Sequence, residues 1–126
     1  GAPAPLQAAA AVGMAFDADY YNHLQADYRA RRDLLCGALA EAGFTFHVPE
    51  GAYYVLAGFG AVHDAPDDVT FARWLAADGG IATVPGSSFY RKGEPDGQRL
   101  VRFVFCKRDE TLRRAAERLA DLRAAV

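Results

Sequence analysis

The run Leu100-Val101-Arg102-Phe103-Val104-Phe105-Cys106 sets a single cation among apolar, strand-favouring side chains. A guanidinium in such a setting costs a great deal unless something pairs with it. Either a carboxylate of this chain lies beside Arg102, or the cation sits at an exposed edge, or the carboxylate arrives as a ligand. Planar, bidentate recognition of a carboxylate is a task to which arginine is suited. Just upstream, Ile81-Ala82-Thr83-Val84 reads as another short strand, and Pro85-Gly86-Ser87-Ser88-Phe89-Tyr90 as the loop after it. Two hydroxyls and two aromatic rings on a Pro-Gly turn can contact a ligand; the same rings can simply cover the edge of a core.

The rest of the chain supplies the elements around this pair of strands. Leu6 to Phe16 is Ala-rich and predicts a helix, apolar all round, as expected of a helix covered by something else. Asp19 to Ala42 is the longest helical pattern, with Tyr20, Leu24, Tyr28, Leu35, Leu39 and Ala42 as its apolar stripe. Asp17 or Asp19 caps it and Gly43 stops it. Asp27 with Arg31, and Arg29 with Asp33, have the spacing of ion pairs along the helix. Phe44 to Val48 and Ala52 to Phe59 read as an antiparallel pair, joined through Pro49-Glu50-Gly51. Asp67 or Asp68 opens a third helix through Ala77, with Phe71, Trp74 and Leu75 inward and Asp78-Gly79-Gly80 at its end. Glu94-Pro95-Asp96-Gly97 predicts a type I turn. Asp109 to Val126 closes the chain as a helix, with Leu112, Ala115, Leu119, Leu122 and Val126 on its inner face. The expected fold is an α/β sandwich of two layers. Its sheet is small, mixed and largely antiparallel, of about four strands, with the helices mainly on one face.

Size and charge narrow the function. A chain of 126 residues makes one domain, spanning 1–126, with one core. Its formal charge of -2 supplies no basic excess for nucleic acid or an anionic membrane. Arg113, Arg114, Arg118 and Arg123 alternate with Glu110, Glu117 and Asp121, as on a solvated helix face. Cys36 and Cys106 lack metal-ligand or redox spacing and read as thiols of a reducing cytosol. Neither a membrane span nor a signal peptide is evident, so the expected location is cytoplasmic.

Most groups with chemical potential have a plain structural explanation. His23, His47 and His63 have no ligand spacing, so no metal site is expected. Ser87 and Ser88 lack the context of a nucleophile elbow. Gly79-Gly80 ends a helix instead of opening one, unlike a dinucleotide fingerprint. The carboxylates are scattered over caps and turns, and no acid–base pair stands out.

Ile81 to Tyr90 followed by Val101 to Leu112, preceded in order by Tyr28-Arg29-Ala30-Arg31-Arg32-Asp33-Leu34-Leu35 and Pro49-Glu50-Gly51-Ala52-Tyr53-Tyr54, resembles the C-terminal end of class I/II (fold type I) aminotransferases that use pyridoxal 5′-phosphate. The kynurenine, glutamine and methionine branch is the most similar. The resemblance covers nearly the whole chain and implies the small domain of such an enzyme. It implies amino-group transfer between an amino acid and a 2-oxo acid, with Arg102 gripping the substrate α-carboxylate. Ser87, Ser88, Phe89 and Tyr90 would face the same cleft, and the full-length protein would be a homodimer.

One departure is severe. The family's cofactor-bearing lysine belongs to a Ser/Lys-rich motif on the large domain, N-terminal to everything matched here. Lys92 and Lys107 are the only lysines, and neither has that context. No catalytic and no cofactor-binding residue is therefore expected in this chain, and alone it should be inactive and carry no cofactor. A surface made to meet the large domain would be left apolar and prone to self-association. Two other readings stay open: a related β-lyase or an aminotransferase-like sensor, and a free-standing, non-catalytic domain that binds a small carboxylate or a partner protein.

Overall fold

Asp17 begins the longest helix. Its carboxylate accepts the Tyr20 N–H at 3.0 Å, satisfying one of the open donors of α2 (Ala18–Glu41). At the other end Gly43 takes a left-handed φ of 94°, with Phe44 N–H donating to Leu39 O at 3.0 Å and Gly43 N–H to Ala40 O at 3.1 Å. That paired closure makes Gly43 the helix stop. Before it lies α1 (Ala4–Met14), set two residues earlier than the sequence suggests because Pro5 occupies its first turn, where a missing N–H costs nothing. The computed structural model describes residues 1–124. Val126, expected on the inner face of the last helix, lies outside the described residues.

After α2 come β1 (Thr45–Phe46), β2 (Tyr54–Gly58), α3 (Asp68–Ala77), β3 (Val84–Pro85), β4 (Leu100–Val104) and α4 (Asp109–Ala124). The element order is the one expected, but each strand is shorter. Pairing of β1 stops at Phe46, opposite Ala57, and β3 pairs with β4 only through Val84 and Pro85. Pro85-Gly86-Ser87-Ser88-Phe89-Tyr90 is tighter than a simple loop: Gly86–Phe89 forms a 3-10 turn. The turn expected at Glu94–Gly97 sits one residue later, with Gln98 N–H donating to Pro95 O at 3.0 Å.

The sheet order is β1-β2-β4-β3, and every pairing is antiparallel. Alternation divides its faces. Val55, Ala57, Val101 and Phe103 are buried, while Tyr54, Leu56, Arg102 and Val104 are half-buried on the other side. The buried side joins Leu35 and Leu39 of α2, Phe71 and Leu75 of α3, and Leu112 and Leu119 of α4 in one hydrophobic cluster. Phe59 and Phe71 stack at 4.2 Å within it. Helices on one face of a small sheet is thus the observed architecture.

Two expectations for α2 are corrected. Leu35, Leu39 and Ala42 are buried, and so is Cys36, but Tyr20 and Leu24 remain exposed. Their half of the helix projects beyond the core. Together with Leu6, Val12, Met14, Phe16 and Tyr21 they form an exposed apolar region, and α1 buries no residue at all. The ion pairs along α2 are also replaced. Arg31 reaches Asp109 at the start of α4 (3.1 Å), and Asp33 takes Arg32 (2.7 Å). For Arg31 a tertiary neighbour outcompetes a weak pair on an exposed helix face, whereas Asp33 is taken by the residue next to it in sequence.

Among the described residues no helix is long and apolar enough to cross a membrane. The two cysteines are unbonded, Cys36 buried and Cys106 exposed. Burial holds the Cys36 thiol above its ordinary pKa, partly opposed by the nearby Arg32 charge.

Candidate functional site

Strand register decides what surrounds Arg102. Its Cα pairs with Leu56 on one side and Val84 on the other, so all three share the half-exposed face. Tyr54 lies two residues along β2 on that same face, and the guanidinium carbon stands 5.4 Å from its ring centroid. Phe89, carried by the 3-10 turn after β3, lies over the guanidinium at 4.7 Å. Two aromatic faces thus flank the cation. Such contacts favour a planar, weakly hydrated cation electrostatically.

Neither ion pair of the described residues involves Arg102, and its buried Nε has no hydrogen-bond partner there. Among the described residues no carboxylate pairs with Arg102, which is half-exposed. Aromatic neighbours offset part of the cost of holding the cation, but they leave its hydrogen-bonding capacity unused. What the arrangement offers is a fixed guanidinium able to receive a planar anion.

The loop candidates separate. Phe89 is on Arg102. Ser87 is half-buried, and its backbone N–H donates to Asp68 Oδ2 at 2.7 Å. Ser88 is exposed, and no hydrogen bond joins any hydroxyl of the loop to Arg102 among the described residues. Tyr90 turns toward Gly97, where its ring lies 2.7 Å from the point an added Cβ would occupy. Gly86 makes the loop's seating possible. A Cβ there would stand 2.5 Å from Gly97 O and 2.6 Å from Leu100 O. Only a residue without a side chain fits that approach.

Two residues of this neighbourhood escape a reading of the sequence. Tyr54 looks like any strand aromatic until register places it beside Arg102. Asp68 looks like a helix cap, but the cap is Asp67, whose carboxylate accepts Thr70 N–H at 2.7 Å and is held below its ordinary pKa chiefly by that bond. Asp68 is instead 1% exposed and turned to the loop.

Neither lysine provides surroundings fit for pyridoxal phosphate. Lys92 is exposed in the turn before β4. Lys107 borders a cleft of about 390 Å³ floored by Leu35, Ile81, Phe103 and Leu112, which belong to the helix side of the sheet and not to the face of Arg102. A second cleft of about 400 Å³ lies between Tyr28, Arg32, Glu50, Ala52 and Phe105. No group of His, Cys, Asp or Glu among the described residues could hold a metal ion.

Fold and site together define a two-layer α/β unit that presents an unpaired guanidinium between two arenes on its uncovered sheet face. Residues 2–119 match the family model described as aminotransferase class I and II, and the chain belongs to that family. The methionine aminotransferase of Escherichia coli is 37% identical over 118 residues, covering 94% of this chain and 30% of that protein. A kynurenine–oxoglutarate transaminase of Dictyostelium discoideum is 30% identical, covering 96% of this chain and 32% of that protein. The solved N-succinyldiaminopimelate aminotransferase of Mycobacterium tuberculosis superposes with a TM-score of 0.82 at 36% identity, over 94% of this chain and 30% of that one. The chain thus spans about a third of the length of these relatives. Full-length enzymes of the family use pyridoxal phosphate.

Proposed function

We propose that these 126 residues are the C-terminal small domain of a transaminase that moves an amino group between an amino acid and a 2-oxo acid. Within that enzyme Arg102 binds the substrate α-carboxylate. The observation that carries this reading is the unpartnered guanidinium held between Tyr54 and Phe89. It keeps its charge at any ordinary pH, its donors are unpaired among the described residues, and two aromatic rings lie beside it. A carboxylate gripped there is fixed in place and angle, which orients the bond to be broken. Of the loop residues Phe89 touches the guanidinium and Ser88 adjoins it in an exposed position, while Ser87 and Tyr90 seat the loop against Asp68 and Gly97.

Pyridoxal phosphate and its lysine belong to a large domain outside this chain. The exposed apolar side chains of α1 and early α2 support burial against that domain, and the full-length protein acts as a cytoplasmic homodimer. The relatives suggest methionine and kynurenine as donors and 2-oxoglutarate as acceptor.

The test is Arg102→Ala in the full-length polypeptide, assayed with L-methionine and L-kynurenine against 2-oxoglutarate. Losing a buried charge partner costs on the order of 2–5 kcal/mol, so kcat/KM should fall roughly thirtyfold or more. Unchanged kcat/KM in a variant that still binds its cofactor refutes the assignment.

A further inference from the structure

A carboxylate buried to 1% exposure, with no cation paired to it among the described residues, needs a reason to be there. Asp68 is such a group. It is the first residue of α3, where the open N–H end of the helix favours negative charge. That accounts for tolerating the charge; an apolar residue would avoid the desolvation cost altogether. The group's outward contact is the more telling. Asp68 Oδ2 accepts the Ser87 N–H at 2.7 Å, a charge-assisted bond to the second residue of the 3-10 turn that carries Phe89.

The turn is held from two sides. Asp68 pulls its backbone onto the start of α3. Gly86 lets it rest against Leu100 O and Gly97 O, where no side chain fits. Between these fixed points the turn delivers Phe89 to Arg102 at 4.7 Å. Breaking the Asp68 bond frees one side of the turn, leaves the Ser87 N–H half-buried without its acceptor, and lets the Phe89 ring leave the guanidinium.

We infer that Asp68 is a positioning residue for carboxylate recognition: through Ser87 it holds the turn that seats Phe89 on Arg102. The inference rests on Arg102 being the substrate-carboxylate site. Asp68 acts at a distance and touches neither substrate nor cofactor.

The experiment uses the full-length transaminase and compares Asp68→Ala, Asp68→Asn, Phe89→Leu, Arg102→Ala and the double variant Asp68→Ala/Phe89→Leu. Donor KM and kcat are measured, with hydrogen–deuterium exchange of the peptide spanning residues 84–91. Asp68→Ala should raise donor KM by at most about fivefold, the effect expected of losing the Phe89 ring itself, with a smaller change in kcat, since a displaced binding group weakens orientation. Exchange of the turn should quicken. Asp68→Asn keeps an oxygen to accept the Ser87 N–H and should restore KM to within about threefold of the parent. The effects of Asp68→Ala and Phe89→Leu should be less than additive, because both act through one ring.

If Asp68→Ala lowers only thermal stability and leaves KM unchanged while Arg102→Ala raises it, the positioning role is wrong and the carboxylate assignment stands. If Arg102→Ala leaves KM unchanged too, the assignment itself fails. Where Asp68→Ala does not fold, Asp68→Asn and the exchange of residues 84–91 decide: exchange and KM that stay parental together, or rise together, uphold the role, and a change in either one without the other overturns it.

Discussion

The guanidinium carbon of Arg102 lies 4.7 Å from the centroid of the Phe89 ring, and Phe89 itself is 47% exposed. The ring therefore serves the cation more than it serves the core.

Replacing Phe89 with leucine keeps the bulk and removes the π face. A cation–π contact at a partly exposed site is worth about 0.5–1 kcal/mol. Steady-state kinetics of the full-length variant should show a two- to fivefold fall in kcat/KM, with melting temperature nearly unchanged. A large loss of stability would instead mark Phe89 as a core residue.

Arg102→Lys retains the charge and loses the planar fork. Because the site is built around a flat cation between rings, lysine should recover little of the activity lost in Arg102→Ala. Recovery to near-parental kcat/KM would mean that a point charge suffices and that the aromatic flanks are incidental.

Lys92 and Lys107 are both exposed, Lys92 in the turn before β4 and Lys107 beside the cleft lined by Leu35, Ile81, Phe103 and Leu112. Incubation of the purified chain with pyridoxal phosphate, followed by borohydride reduction, should label each no more strongly when folded than when denatured. Stoichiometric labelling of either lysine only in the folded chain would show that this domain holds the cofactor by itself.

The cysteines should differ in reactivity. Cys106 is exposed, whereas Cys36 is buried with its thiol pKa raised by burial. Iodoacetamide at neutral pH should modify Cys106 and spare Cys36 until denaturant is added, as mass spectrometry can count. The sign for stability follows from the raised value. Keeping Cys36 neutral stabilises the fold fully below the unfolded thiol pKa of about 8.5, and that contribution is lost as pH rises through the folded value.

Asp67 titrates in the opposite sense. Its folded pKa is depressed by the Thr70 N–H, so its contribution is present above the unfolded carboxyl pKa of about 3.9 and lost as pH falls through the folded value. Urea melts of the parent and of Asp67→Ala should therefore differ near neutrality and converge only in acid, once pH has fallen below the folded value. A difference that persists in acid would assign the effect to helix packing and not to the charged cap.

Much of this molecule follows from local chemistry alone. Asp17 and Gly43 delimit α2 because capping needs only neighbours a few residues away. The order of helices and strands follows from periodicity, and Arg102 stands out because a cation inside an apolar strand requires explanation wherever it occurs. The family, too, is legible in the order of short motifs. What local chemistry does not contain is register and approach. Tyr54 becomes a neighbour of Arg102 only once β2 pairs with β4, and Phe89 only once the turn after β3 folds back. Asp68 passes for a cap until α3 docks against that turn. The stripe of α2 reads as continuous, yet the core reaches only its second half and leaves Tyr20 and Leu24 bare. Propensity and capping act over a turn or two of chain. Which side chains meet depends on contacts between segments far apart in sequence, and those exist only after the sheet and its helices have packed.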